Sequence, residues 1–313
     1  QEEASGEMIC TLRFTIVALL ALFAVRAAEA APRPSVIFIL VDDMGWGDLS
    51  CFGNTEAETP HLDRLAAEGI RFSQFYVAAP ICSPSRCALV TGQYPQRWKI
   101  TSFLNNREDN RRRGVADWLD VQAPSLARLL QSAGYATGHF GKWHLGGQRD
   151  VGDAPLITEY GFDESLTNFE GLGPRLLGLA DAHDGKPLKR HALGSDLLGH
   201  GPVIWYDRSQ LTAGYVGAAK AFLDRAAAAG QPCYVNIWPD DVHSPYYPPE
   251  ARRGEGKRAL YHGVLETIDE QLGALFDHVR KSPTLRDNTL ILFCSDNGHE
   301  PGAGSAANRS SAA

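Results

Sequence analysis

The chain has 313 residues, enough for one large domain or two ordinary ones. Hydrophobic residues make up 44% and charged residues 21%, a globular rather than a disordered composition. The formal net charge of −7 argues against nucleic acid as the main partner.

Arg13 precedes an apolar run over residues 14–25, and Ala28-Glu29-Ala30 then offers an A-x-A cleavage site before Ala31. The run is short for a membrane span and has the three-part layout of a signal peptide. Residues 1–30 are therefore expected to be a signal peptide, with those before Met8 an upstream extension. The mature chain is expected in the periplasm or outside the cell, without a stable membrane anchor. Of six Cys, Cys10 leaves with this segment, and Cys51, Cys82, Cys87, Cys233 and Cys294 remain. Their odd count and irregular spacing do not make a disulfide scaffold. No C-x-x-C or His-x-x-x-His pair points to zinc.

The elements then alternate. Residues 35–41 are a continuous apolar, β-branched run, as in a strand buried on both faces of a parallel sheet, and they end abruptly in Asp42-Asp43. Thr59 as cap and Pro60 at the first position open a helix with Leu62, Leu65 and Ala66 on its apolar face, ended by Gly69. Residues 70–77 read as a strand leading to Cys82-Ser83-Pro84-Ser85-Arg86. That stretch places a thiol, two hydroxyls and a guanidinium at a helix start, with Ser83 as a possible cap and Pro84 in the first turn. Free N–H groups and the positive dipole end there suit an anion.

Four Arg (107, 111, 112, 113) within seven residues read as a solvated loop, or as a surface that meets a polyanionic substrate. Residues 125–133 predict an amphipathic helix (Leu126, Leu129, Leu130) closed by Gly134. A short strand over 135–140 leads to Lys142 and His144. Residues 146–210, rich in Gly, Asp and Pro, read as loops around the site mouth. A helix over 215–229, a strand over 233–238 followed by His243, a helix over 260–279 (Leu265, Ile268, Leu272, Leu275, Phe276) and a strand over 289–293 followed by Asp296-Asn297 complete the pattern.

This is βαβ order, so the expected fold class is α/β, a mostly parallel sheet flanked by helices on both faces. Ligands in such sheets bind outside the carboxyl ends of the strands, where the polar clusters fall. Asp42, Asp43, Asp296 and the Asn297 carbonyl are hard oxygen ligands that suit Ca²⁺, or Mg²⁺, and not a soft metal. Lys142, Arg86, His144 and His243 supply positive charge and proton transfer. Together they describe hydrolysis of a sulfate or phosphate ester with a nucleophile at Cys82.

The motifs give a family. Cys82-Ser83-Pro84-Ser85-Arg86-Cys87-Ala88-Leu89-Val90-Thr91-Gly92 resembles the C-x-P-S-R-x-x-L-x-T-G signature of the type I, formylglycine-dependent sulfatases. The stretch Gly134 to His144 is similar to their second signature, and Asp42 to Asp48, His243-Ser244-Pro245 and Asp296-Asn297-Gly298 match further blocks in order. Met44-Gly45-Trp46-Gly47-Asp48-Leu49 looks most like the N-acetylgalactosamine-6-sulfatase and arylsulfatase A branch.

The resemblance implies an alkaline-phosphatase-like fold, with Cys82 converted to Cα-formylglycine by a formylglycine-generating or anaerobic maturation enzyme. It implies a sulfated carbohydrate or aryl sulfate as substrate, attacked by one hydroxyl of the hydrated aldehyde. Asp42, Asp43, Asp296, Asn297 and the modified Cys82 would hold Ca²⁺. Arg86 would orient the nucleophile, Lys142 would bind sulfate, His144 would contact the second hydroxyl, and His243 with Lys142 would assist the leaving group.

The family usually carries another Lys after the Asp-Asn-Gly block and a small C-terminal domain. Here no Lys follows Lys281. Residues 31–304 are thus expected to be a catalytic domain incomplete against the family, and 305–313 a divergent tail. Two alternatives stand beside the sulfatase: a phosphate ester hydrolase of the same superfamily, and an inactive fragment that binds sulfated glycan.

Overall fold

The computed structural model describes residues 33–182 and 186–310. The expected signal peptide lies outside them. In chain order the strands are β1 (Ser35–Val41), β2 (Ala136–Gly141), β3 (Glu164–Leu166), β4 (Arg175–Ala182), β5 (Lys186–His191), β6 (Val203–Asp207), β7 (Cys233–Trp238) and β8 (Thr289–Ser295). The helices are α1 (Pro60–Glu68), α2 (Cys82–Thr91), α3 (Arg107–Arg113), α4 (Leu126–Ser132), α5 (Leu211–Ala228), α6 (Gly256–Lys281) and α7 (Ala307–Ser310).

The main sheet has the order β3-β2-β7-β1-β8, and every pairing in it is parallel. Because side chains alternate along a strand, β1 feeds two cores. Ile37, Ile39 and Val41 join one with Leu62 of α1, Leu223 of α5 and Ile268 of α6. Leu40, flanked by Val36 and Phe38, joins the other with Cys87 and Val90 of α2 and Ala127 of α4. Helices therefore cover both faces, as the apolar run at 35–41 required.

Several local expectations are corrected. Residues 70–77 form no strand; Ile70, Phe72, Phe75 and Tyr76 stand exposed. Their aromatic and β-branched character favours a strand only against a partner, and none of the described strands lies beside them. Residues 146–210 are not all loop: β4 pairs antiparallel with β5 and parallel with β6 in a second, three-stranded sheet. The Gly and Asp of the segment lie mainly outside these strands, and β4 and β5 carry no apolar–polar alternation that would mark them.

The arginine cluster at 107–113 is a helix, α3, capped by Asn106, whose side chain accepts from Asp109 N at 2.8 Å. Its cations are spoken for: Arg107 pairs with Asp117, Arg111 with Glu108 and Arg112 with Asp109. Thr59 does not cap α1; its hydroxyl bonds Ser50 and Asp63. The start of α1 is held instead by Asp269 of α6, which accepts from His61 N (3.1 Å) and Leu62 N (2.8 Å). In α4, Leu126 and Leu129 are exposed, and Ala127 is the buried residue.

Residues 305–308 pack back onto the turn after β1. Ser305 N donates to Asp48 Oδ1 at 2.7 Å, and Asn308 Nδ2 donates to the same oxygen at 2.5 Å. Tyr261 of α6 donates to the other oxygen of Asp48.

Candidate active site

Four neighbouring strands, β2, β7, β1 and β8, run in one direction, so their carboxyl ends open on one edge of the sheet. There β1 delivers Asp42 and Asp43, β2 delivers Lys142 and His144, β7 delivers Asp240 and His243, and β8 delivers Asp296 and Asn297. Gly141 makes the β2 exit possible. Its φ is +123°, and a Cβ there would sit 2.2 Å from Trp238 O. Lys142 N then donates to that same carbonyl at 2.8 Å.

The first residues of α2 are buried against this edge. Arg86, fully enclosed, is the hub. Its Nη2 lies 3.0 Å from Asp42 Oδ1 and 2.8 Å from Asp296 Oδ2, Nη1 donates to Lys142 O at 2.9 Å, and the guanidinium lies 5.3 Å from the Trp238 ring centre. Lys142 Nζ lies 2.5 Å from Asp42 Oδ2. Asp43 N donates to Asp296 Oδ1 at 3.2 Å, Asn297 Nδ2 donates to Asp43 Oδ1 at 2.5 Å, and His243 Nε2 is 3.7 Å from Asp43 Oδ2. The expected Ser83 cap is absent. The cap position is Ile81, and Ser83 Oγ accepts instead from Leu104 N at 3.0 Å, tying α2 to a neighbouring loop.

The charge balance is uneven. Burial works to raise the Asp42 carboxyl, but Lys142 and Arg86 outweigh it and hold that group well below its usual range. Asp43 and Asp296 are pushed up, first by burial and then by the Asp42 charge beside them. Burial also pushes the Cys82 thiol far up. A thiol held protonated is a poor nucleophile.

The side chains fit a hard cation. Oxygens of Asp42, Asp43 and Asp296 lie within 4.8 Å of one another. Asn297 Oδ1 is buried without a hydrogen-bond partner. Three crowded carboxylates and an orphaned amide oxygen, with oxygen donors throughout, are the ligand set of Ca²⁺ or Mg²⁺. A cavity of about 450 Å³ opens over Cys82, reached by Asp43, Lys142, His144, His243 and Asn297. Every site residue taken from the sequence is thus found at this edge.

The sequence did not single out Glu170, Arg149, Arg208 or Asp240, yet the last three line the same cavity and Glu170 faces His144. Asp240 accepts from Asn168 Nδ2 (2.5 Å) and Arg208 Nη1 (2.8 Å). Asp240 directly follows the Pro239 that ends β7, a signal of the same kind as Asp42 after β1. Glu170, Arg149 and Arg208 lie in the long 146–210 segment, where no periodicity flagged them.

The family model described as Sulfatase matches residues 34–312. The chain belongs to the sulfatase family. N-acetylgalactosamine-6-sulfatase of Canis lupus familiaris is 32% identical over 284 residues, which are 87% of this chain and 51% of that protein. Arylsulfatase A of Bos taurus is 31% identical, over 87% of this chain and 53% of its own length. Among solved structures, Ps i-CgsB in complex with k-i-k-neocarrahexaose is 26% identical with a TM-score of 0.68, over 88% of this chain and 61% of that one. This sulfatase chain spans about half the length of the curated relatives it matches. Its architecture is the alkaline-phosphatase-like α/β fold.

Proposed function

We propose that this chain hydrolyses sulfate esters of carbohydrates, with Cys82 converted to Cα-formylglycine and Ca²⁺ held by Asp42, Asp43, Asp296, Asn297 and residue 82. The observation that carries the reading is the convergence, in one cavity, of a helix-start Cys82 with crowded carboxylates, an orphaned Asn297 oxygen and the cations Arg86 and Lys142. Burial pushes the Cys82 thiol up, away from the nucleophilic thiolate, and a modified residue 82 suits the attacking role better. The choice of a carbohydrate follows the relatives, one named for N-acetylgalactosamine 6-sulfate chemistry and one solved with a neocarrahexaose.

A bound cation would neutralise sulfate charge, and one hydroxyl of the hydrated aldehyde would bond to sulfur as the S–O bond to the sugar breaks. Arg86, locked between Asp42 and Asp296, holds residue 82 at the start of α2. Lys142 Nζ neutralises a sulfate oxygen as charge builds on it. His243, half-exposed at the cavity, protonates the departing sugar oxygen. His144, buried and held neutral well below its usual range, takes the proton of the second hydroxyl as sulfate leaves. The layout of residues 1–30 supports export before action.

The test is mass spectrometry of the tryptic peptide containing residue 82, from protein co-expressed with a formylglycine-generating enzyme, with turnover of nitrophenyl sulfate against nitrophenyl phosphate. Aldehyde at residue 82 and preference for sulfate are expected. Unmodified thiol throughout overturns the formylglycine assignment. Preference for phosphate overturns the sulfatase assignment, and retention of sulfated polysaccharide without turnover favours a binding fragment.

A further inference from the structure

His144 enters the site with one ring nitrogen unpartnered and the other facing a carboxyl. Its Nδ1 is buried without a hydrogen-bond partner. Its Nε2 lies 3.6 Å from Oε2 of Glu170, a carboxyl that is 2% exposed. The other oxygen, Oε1, lies 3.8 Å from Arg149 Nε. Catalytic contacts of this length tighten to hydrogen bonds when substrate fills a site. All three residues hold left-handed backbone, with φ of 56° at His144, 60° at Arg149 and 47° at Glu170. Such conformations in non-glycine residues persist where the surroundings over-determine them, and they cluster at reactive sites. A carboxyl buried without a full hydrogen bond opposes folding, so packing gives no reason for Glu170 to be there.

We propose that Glu170 is the positioning residue for His144: its carboxylate takes the Nε2–H edge and leaves Nδ1 as the ring's free base. A neutral imidazole carries one donor and one acceptor, so fixing the donor at Nε2 fixes the acceptor at Nδ1. Arg149, at the cavity wall, steadies the far oxygen of the carboxylate. This deepens the sulfatase reading and rests on it for the identity of the reaction, in which His144 takes a proton from the hydroxyl at residue 82.

The charges around the pair set its working range. Burial, then Lys142 and Arg86, keep His144 neutral, with Asp42 and His243 also facing it. Burial pushes the Glu170 carboxyl up to about 8 against the pull of Arg149, Lys142 and Arg113. Above that pH Glu170 is an acceptor and Nδ1 is free. Below it the carboxyl keeps its proton and donates to Nε2, which moves the ring proton to Nδ1 and removes the base.

The experiment reads the imidazole tautomer of His144 by nitrogen–proton correlation NMR on the matured full chain with Ca²⁺, at pH above about 8. A His144→Gln sample assigns the signal, and Glu170→Met and Glu170→Gln are compared with wild type. Wild type is expected as the Nε2–H tautomer alone and Glu170→Met as a mixture of both. In each variant kcat on nitrophenyl sulfate falls roughly 10–100-fold with KM within about twofold, and the rise of kcat through about pH 8 disappears. If the Met variant does not fold, the near-isosteric Gln variant carries the kinetic comparison and wild type the tautomer. An Nδ1–H tautomer in wild type, or variants with unchanged kcat and pH profile, overturns the proposal. A wild type that turns over no sulfate ester overturns the sulfatase reading instead, while the tautomer still decides the role of Glu170.

Discussion

Lys142 Nζ lies 2.5 Å from Asp42 Oδ2, and both side chains are enclosed. Removing one member of a buried ion pair leaves the other uncompensated, which typically costs about 3–5 kcal/mol. Asp42 keeps Arg86 as a second partner, so Lys142→Ala is expected at the low end, about 3 kcal/mol by urea unfolding without added metal. A divalent cation would supply the positive charge that the Lys142→Ala substitution removes. The loss should therefore shrink when the same titration is run with Ca²⁺, and an equal loss with and without Ca²⁺ would separate Asp42 from the metal site.

The oxygen cluster makes a related prediction about metal removal. A ligand at one hundred times its dissociation constant stabilises a fold by about 2.7 kcal/mol. Ca²⁺ is expected to raise the midpoint of thermal unfolding and a chelator to lower it again. Asp43→Asn deletes one charge from the cluster while keeping the shape of a side chain that Asn297 already contacts. It should abolish most of that shift. Differential scanning fluorimetry decides it; a full Ca²⁺ response in Asp43→Asn would exclude this carboxylate as a ligand.

Arg208 and Asp240 form a second buried pair at the cavity wall, 2.8 Å apart. Burial works to raise the Asp240 carboxyl, but Arg208 wins and holds it below its usual range. A depressed folded pKa means stability that is present above the unfolded carboxylate range and is lost as pH falls through the folded one. Asp240→Asn should cost about 3 kcal/mol or more near neutral pH, and the gap from wild type should close as the medium is made acid. Chemical unfolding at both ends of that range tests the sign, and a gap that widens in acid contradicts it.

The site was largely legible in the sequence because parallel sheets put strand ends on one edge. Each of Asp42, Lys142, His243 and Asp296 follows a short apolar run, so a list of strand exits was already a list of site residues. The helix at Cys82 was legible from Pro84 and the apolar residues after Arg86, but its cap was not, since Ser83 turns to Leu104 instead. Residues 70–77 misled because their side chains favour a strand, while strand formation also needs a neighbour. Glu170 and Arg149 were invisible for a different reason. Both hold left-handed backbone in residues other than glycine, and sequence patterns of turns and strands do not encode that.

Glu170 also gives a pH dependence opposite in sign to that of Asp240. Its carboxyl is raised to about 8 by burial, against about 4.3 for an unfolded Glu. Between those values the folded chain holds a proton that the unfolded chain has released, so wild-type stability falls as pH rises through this window and levels off above it. Glu170→Gln carries no ionisable group there. Relative to wild type, the Gln variant should gain a few kcal/mol between pH values near the two limits, even as its turnover drops. That combination, a more stable and less active protein, is what a strained, buried functional group predicts. Unfolding free energies of both proteins across the window decide it: a difference that stays flat with pH would show that Glu170 is ionised in the folded chain at all these values.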